Sequence, residues 1–336
     1  MKIKIKKKFF NFITRQKWIK SVLYFLLNIR TVDYLYRKFY SKTVKKALAQ
    51  FDFSDLTMSI ETANVCNSKC RMCPYPRMTR PKQVMSQALF EKIVDDCLSH
   101  NIQNFNLNFY NEPFLDPEIF NRIKYLKNKG LKVKLFSNGS VLSPDKYDRL
   151  FESGLDVINF SFDALTKEVY EKIRRGLSFE ITKENIMKLA AEKKKRDLAY
   201  PIINLVFVRQ EANNHEALEF KRYWEASGMI NKVILSQDDY RGEEDGVLKK
   251  NQRICYPCRK LWQEIIAVSN GKVPFCCIDF DASIILGDFN TQTLSEIWNS
   301  AKFKMLREAH IDFEAEKISL CKGCLQSRKL NVRSWY

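Results

Sequence analysis

Three thiols, Cys66, Cys70 and Cys73, fall within the stretch VCNSKCRMCP, and a second group, Cys255, Cys258, Cys276, Cys277, Cys321 and Cys324, lies toward the other end of the chain. Thiols spaced C-x3-C-x2-C bridge one another poorly, but their thiolates can converge on one metal centre. A structural zinc site takes four protein ligands, and a cubane iron–sulfur cluster used only for electron transfer takes four thiolates. Three thiolates on one short loop leave one metal corner without a protein ligand, and an open corner is where a substrate or cofactor can coordinate. Zinc completed by a ligand from elsewhere in the chain is the competing reading.

The elements that must hold this loop alternate regularly. The runs at 57–65, 105–110, 132–139, 156–163, 203–208 and 232–237 are rich in Val, Ile, Leu and Phe and read as strands. Helical patterns lie between them, such as SQALFEKIVDDCLSH at 86–100, with Leu89, Ile93, Val94, Cys97 and Leu98 on one face. Strict alternation predicts an α/β fold with a parallel sheet and right-handed crossovers. The cysteine loop, Glu112, Asn138 and Asp163 all fall at or just past strand C-termini, the rim on which α/β barrels build chemistry. Six units rather than eight predict a partial (βα)6 TIM-type barrel, open on one side. Alternation stops at the acidic, Gly-containing segment 238–246, and a smaller unit follows. In it EIIAVSNGKVPFCC reads as a hairpin turning at Asn270 and Gly271, followed by one helix over TLSEIWNSAKFKMLREAH. The expected organisation is a basic helical arm at 1–55, a barrel core at 56–240 and a small iron–sulfur domain at 241–336.

The C-x3-C-x2-C loop after the first strand resembles that of the radical S-adenosylmethionine superfamily. The resemblance implies a 4Fe-4S cluster held at three irons by Cys66, Cys70 and Cys73, with S-adenosylmethionine chelating the fourth. It also implies one-electron cleavage to a 5′-deoxyadenosyl radical and an external one-electron donor of flavodoxin or ferredoxin type. YNEP at 110–113 is similar to the family's Gly-Glu-Pro element and makes Glu112 the partner of the methionine amino group, with Asn111 in place of the glycine. Asn138 and Ser161 match positions that face the nucleoside, and Arg174 matches an arginine that pairs with the methionine carboxylate. Read without the resemblance, Asn138 and Gly139 form a turn, Ser161 is a small buried residue and Arg174 a solvated helix residue. Asp163 either caps a helix or meets substrate.

The C-terminal cysteines resemble those of SPASM and shorter twitch extensions, with Gly271 and Cys276 in the Gly-x4-Cys arm. This implies one closed auxiliary 4Fe-4S cluster on Cys258, Cys276, Cys321 and Cys324. Cys255 and Cys277 compete for places, Cys277 because neighbours on a strand point to opposite faces. A structural zinc knuckle is the alternative. Cys97 reads as core.

The net charge of +18 is concentrated in residues 1–50, where bases alternate with aromatic and aliphatic residues and Asp33 is the sole acid. This arm reads either as a helix packing on the body of the protein or as a basic surface contact, with membrane preferred to nucleic acid. Its longest uncharged run, 21–29, is too short to cross a bilayer, which takes about 20 residues. No small-residue cleavage site follows it, so a cytoplasmic chain is expected. An arm of this kind does not predict the leader-binding winged helix of peptide maturases, so the expected substrate is a small polyol or carbohydrate-like molecule, oxidised with loss of an electron to the auxiliary cluster. Peptide maturation is the alternative within the family. An iron–sulfur module that binds nucleic acid or membrane without catalysis is the alternative outside it.

Overall fold

The computed structural model describes residues 30–48, 51–237, 257–322 and 324. The acidic segment at 238–246, Cys255 and most of the basic arm lie outside these residues. The chain divides into two compact units. The first comprises the described residues within Leu56–Gly246 and Trp262–Ser300.

All six expected strands of this unit form: β1 Thr57–Ile60, β2 Asn104–Asn106, β3 Lys132–Ser137, β4 Val157–Ser161, β5 Ile202–Arg209 and β6 Lys232–Gln237. They are joined by a seventh, β7 Glu264–Ala267, in the parallel order β6-β5-β4-β3-β2-β1-β7. The sheet alternates as period 2 requires. Met58, Phe105, Val133, Leu135, Ile158, Phe160, Ile203, Leu205 and Phe207 are buried on one face, while Ser59, Asn106, Asn159 and Asn204 share the other. The architecture is the α/β partial barrel that the alternation implied.

The hairpin expectation needs correction. Asn270 and Gly271 do turn the chain, with Gly271 at φ +85°, but the strand before the turn adds to the barrel sheet beside β1. The strand after it, β8 Lys272–Pro274, pairs antiparallel with β9 Ile285–Asp288 instead. Pairing with β1 gives β7 a buried parallel neighbour, and its Ile265, Ile266 and Ala267 are all buried.

Among the helices, α2 Gln87–Ser99 begins as expected, with the Ser86 hydroxyl accepting from the Leu89 amide, and Cys97 is core on its buried side. Helix α3 is Ile119–Asn128 and α4 Tyr147–Glu152; α5 Lys167–Ile173, α6 Phe179–Lys195 and α7 Ala217–Ala226 follow. Phe162, just past β4, gathers Tyr170, Phe179, Phe220 and Trp224 within ring distances of 4.8 to 6.0 Å. That aromatic cluster anchors α5, α6 and α7 next to the rim. The single helix expected at 293–310 is two, α8 Leu294–Asn299 and α9 Ala301–Ile311, broken where Ser300 turns to ψ 143°.

The second unit comprises the described residues within Met1–Asp55, Val247–Leu261 and Ala301–Tyr336. Helix α1 Arg30–Leu48 packs here on α9: the Ser41 hydroxyl donates to the Ile311 carbonyl, and Tyr40 meets Phe313 edge-on at 5.7 Å. The stretch 1–29, on which the choice between packing and surface contact rests, lies outside the described residues. The unit ends on the short α10, Ser319–Lys322. Among the described residues no helix is long and apolar enough to cross a membrane.

Candidate active site and cluster loops

The three-cysteine loop is held by its backbone. The Cys66 amide donates to the Tyr75 hydroxyl at 2.8 Å, the Lys69 amide to the Arg175 carbonyl at 2.8 Å and the Arg71 amide to the Ile173 carbonyl at 2.9 Å. The end of α5 thus clamps the loop from across the rim. Ser68 Oγ lies 3.2 Å from Cys66 Sγ and 3.3 Å from Cys70 Sγ, so one hydroxyl serves two thiols. No disulfide joins Cys66, Cys70 or Cys73.

Burial raises the Cys66 pKa and pushes that of Cys73 up to about 12, and neighbouring thiols add to both. Buried thiols that resist ionisation, as Cys66 and Cys73 do, need a compensating positive centre, which iron supplies. The donor set therefore fits a metal cluster. It also suits one with a free corner, because the loop itself contributes only these three sulfurs.

Next to the loop, Glu112 is buried and caps the 3-10 turn Pro113–Leu115. Its carboxylate accepts from Ser137 Oγ at 2.8 Å and the Asn138 amide at 2.7 Å, and its own amide donates to the Val65 carbonyl at 2.8 Å. Burial raises its pKa to about 7 despite these bonds. Asn111, where the resembling motif has glycine, has no left-handed backbone to accommodate: its Oδ1 accepts from the Phe109 amide at 2.8 Å, and its φ is not positive. Its Nδ2 is buried without a protein partner, a donor open to a ligand. Asn138 Nδ2 donates to Asn67 Oδ1 at 2.9 Å, tying the third strand's end to the cysteine loop. Gly139 follows at φ +76°, its Cα 's missing side chain leaving room where a Cβ would come within 3.2 Å of Phe160.

Arg174 is buried, not solvated. Its Nε and Nη2 both contact Asp163 Oδ2, and Nη1 lies 3.5 Å from Cys70 Sγ. Burial opposes the guanidinium charge, but Asp163 and Cys70 outweigh it and hold its pKa above the ordinary value. Asp163 also accepts from the Val208 amide at 2.6 Å, so its role is to hold Arg174 and not to cap a helix. The structure thus gathers Glu112 and Asn138 on one side of the loop and Arg174 on the other, with Ser161 at the end of β4. Ser68, Asn67, Ser137 and Asp163 complete the arrangement. Sequence reasoning passed over the first three because a small polar residue beside a motif carries no spacing of its own.

Cys276 and Cys277 lie beyond the end of β8, in a turn rather than on a strand, so the opposite-faces argument for choosing between them does not apply. Asp279 closes that turn, accepting from Ser283 and from the Ile284 amide, and the Cys277 carbonyl accepts from the Tyr110 hydroxyl at 2.8 Å. In the second unit Cys258 and Cys324 are half-buried and Cys321 buried, with His310 between Cys258 and Cys321. Nothing in the sequence marked His310.

Residues 60–220 match the radical SAM superfamily and residues 258–325 the SPASM iron–sulfur cluster-binding domain. The chain thus carries a radical SAM domain over the barrel, followed by a SPASM domain. Its cofactors are therefore S-adenosylmethionine with a 4Fe-4S cluster, and auxiliary iron–sulfur chemistry in the SPASM domain. A tungsten-containing aldehyde ferredoxin oxidoreductase cofactor-modifying protein of Pyrococcus furiosus is 25% identical over 165 residues, 49% of this chain and 46% of that protein. A probable GTP 3′,8-cyclase of Methanococcus maripaludis is 33% identical over 126 residues, 37% of this chain and 41% of that protein. The chain thus spans less than half the length of these relatives. BtrN, solved with AdoMet and 2-DOIA, superposes with a TM-score of 0.58 at 18% identity over 83% of this chain and 95% of that one. anSMEcpe with bound AdoMet gives 0.59 at 17% identity over 82% and 88%. These likenesses show the fold.

Proposed function

We propose that this radical SAM enzyme oxidises a small, polyhydroxylated substrate. The observation that carries the substrate class is the polar face of the sheet. Ser59 Oγ donates to Glu264 Oε1 at 2.7 Å, Asn106 Nδ2 to Ser59 Oγ at 3.2 Å, and Asn204 Nδ2 to Asn159 Oδ1 at 3.0 Å. A face made of carboxamides, a hydroxyl and a carboxylate suits a ligand that exchanges hydrogen bonds with it, and most parallel sheets are apolar on both faces.

When bound, the cluster and S-adenosylmethionine together supply a hydrogen-abstracting 5′-deoxyadenosyl radical. Cys66, Cys70 and Cys73 are the thiolates that would hold the cluster. Glu112 would accept from the methionine ammonium, and Arg174, oriented by Asp163, would face the carboxylate. Asn138 and Ser161 would meet the nucleoside. Cys258, Cys276, Cys321 and Cys324, all within the matched SPASM span, are the candidate ligands of one auxiliary cluster, which would take the electron that leaves the substrate. The carboxylates near the rim are already engaged: Asp163 by Arg174, Asp279 by its turn and Asp281 by the Thr79 amide at 2.7 Å.

The family needs an external one-electron donor, and a flavodoxin- or ferredoxin-like protein fits that need. A peripheral membrane contact is a further part of the reading, supported by Tyr34, Leu35 and Phe39, which stand exposed on α1 beside exposed Lys38 and Lys42.

The test is anaerobic incubation of the reconstituted chain with dithionite, S-adenosylmethionine and deuterated polyols or aminocyclitols. Release of 5′-deoxyadenosine carrying deuterium from the polyol supports the proposal. Deuterium transfer only from peptides would overturn the substrate class, and no 5′-deoxyadenosine at all would overturn the enzymatic reading in favour of a binding module.

A further inference from the structure

The geometry points to His310 as a neutral donor of an N–H···S bond to Cys321, a positioning residue that raises the reduction potential of the auxiliary cluster. This rests on the reading of Cys258 and Cys321 as auxiliary ligands, and adds a control on the potential that the SPASM match does not specify.

His310 lies in the last turn of α9 and is buried. Its two ring nitrogens face different groups. The backbone amide of Cys258 points at Nδ1 from 3.2 Å, and Cys321 Sγ lies 3.3 Å from Nε2. An amide can only donate, so Nδ1 must be the unprotonated nitrogen, and the proton of the neutral ring sits on Nε2. That proton is aimed at sulfur. The same assignment excludes His310 as an iron ligand through Nε2, because metallation there would move the proton to Nδ1 and set two donors against each other at the Cys258 amide.

The consequence for a cluster follows from charge. A reduced cubane with four thiolates carries more negative charge than the oxidised one, so a buried ligand such as Cys321 favours the oxidised state. An N–H donated to a ligand sulfur withdraws charge and favours the reduced state. An acceptor of electrons from a substrate radical works better at the higher potential. One histidine also joins two cysteines that are far apart in the sequence, so the element that supports the Cys258 segment sets the electronics at Cys321.

The experiment uses the full chain with Cys66, Cys70 and Cys73 replaced by Ala, so that only auxiliary iron remains, and compares it with the same chain carrying His310→Asn or His310→Gln. The Asn amide oxygen can replace Nδ1 toward Cys258 but puts no donor at the sulfur; Gln can place its amide nitrogen near the Nε2 position. Redox titration followed by electron paramagnetic resonance should show the reduction equilibrium of His310→Asn about tenfold less favourable, a shift of about 59 mV to more negative potential for one electron, with His310→Gln closer to the parent. Both should keep about four irons. A potential unchanged in His310→Asn at full iron content overturns the inference while leaving the auxiliary cluster in place; a parent that holds no iron overturns the cluster reading itself. If His310→Asn fails to assemble a cluster, ¹⁵N-histidine labelling of the parent decides. Weak nitrogen coupling supports the hydrogen bond, and strong coupling of a direct ligand, or none, overturns it.

Discussion

The two cysteine groups use the same residue type in opposite ways. The first places three sulfurs within eight residues on one loop, clamped by backbone bonds to α5 and served by a single hydroxyl, Ser68. The second draws on cysteines from position 255 to 324, and two of them, Cys258 and Cys321, meet through a histidine. A compact loop can keep one iron corner open for a cofactor, because its own reach is exhausted after three ligands. On the proposed reading, a group gathered from distant segments would have sulfurs enough to close its metal, and its neighbours would adjust a potential instead of binding a substrate.

The largest test of this contrast is to remove one sulfur from each group. Cys70→Ala should abolish 5′-deoxyadenosine release, measured by chromatography after dithionite reduction. Cys321→Ala should lower bound iron by about half, if each group holds one cubane, and leave dithionite-driven cleavage of S-adenosylmethionine detectable. Equal loss of cleavage in both variants would erase the distinction.

Asp163→Asn comes next. It leaves Arg174 buried beside Cys70 without its carboxylate, and breaking a buried pair in this way costs about 3–5 kcal/mol. Thermal unfolding of the chain should shift clearly downward, with weaker S-adenosylmethionine binding by calorimetry.

Glu112 sharpens the comparison through pH. Its folded pKa of about 7 lies above the ordinary carboxylate value, so between roughly pH 4.5 and 7 the folded state holds a proton that the unfolded chain has lost. The Glu112 contribution to the stability of the cofactor-free chain should therefore fall as pH rises through that window, by up to about 3 kcal/mol. S-adenosylmethionine affinity should rise over the same range, because its ammonium needs the carboxylate. The difference between the denaturant midpoints of the parent and of Glu112→Gln, compared at pH 5.5 and 7.5, measures the first effect, and Glu112→Gln should flatten the second. His310 acts in the opposite sense: burial holds its folded pKa down to about 4, below the ordinary imidazole value, so its contribution to stability rises with pH between roughly 4 and 6.5, and the Glu112 effect is read against the Glu112→Gln variant.

The smallest expected effect belongs to Gly271→Ala. At φ +85° a Cβ would stand 2.6 Å from Asn290 Nδ2 and 3.1 Å from Leu89 Cδ2, costing more than about 1 kcal/mol in denaturant titration without altering the cysteine loop.

Much of the barrel was legible because its signals are short-range. Six apolar runs, the Ser86 cap and the core position of Cys97 each depend on residues a few places apart. β7 was misassigned because a strand next to a clear turn signal pairs by default with the strand across that turn, whereas here the buried edge beside β1 takes it. The helix break at Ser300 escaped because the apolar pattern continues across it.

The sequence by itself determined the open three-thiol loop and its place after the first strand, since ligands this close converge whatever the rest of the chain does. Only the tertiary structure decided that Asp163 and Cys70 share Arg174, that Glu112 meets Ser137 and Asn138, and that His310 reaches Cys321. Those contacts depend on the crossovers and on which way each element's end faces, and no local pattern encodes the meeting of side chains brought together by packing.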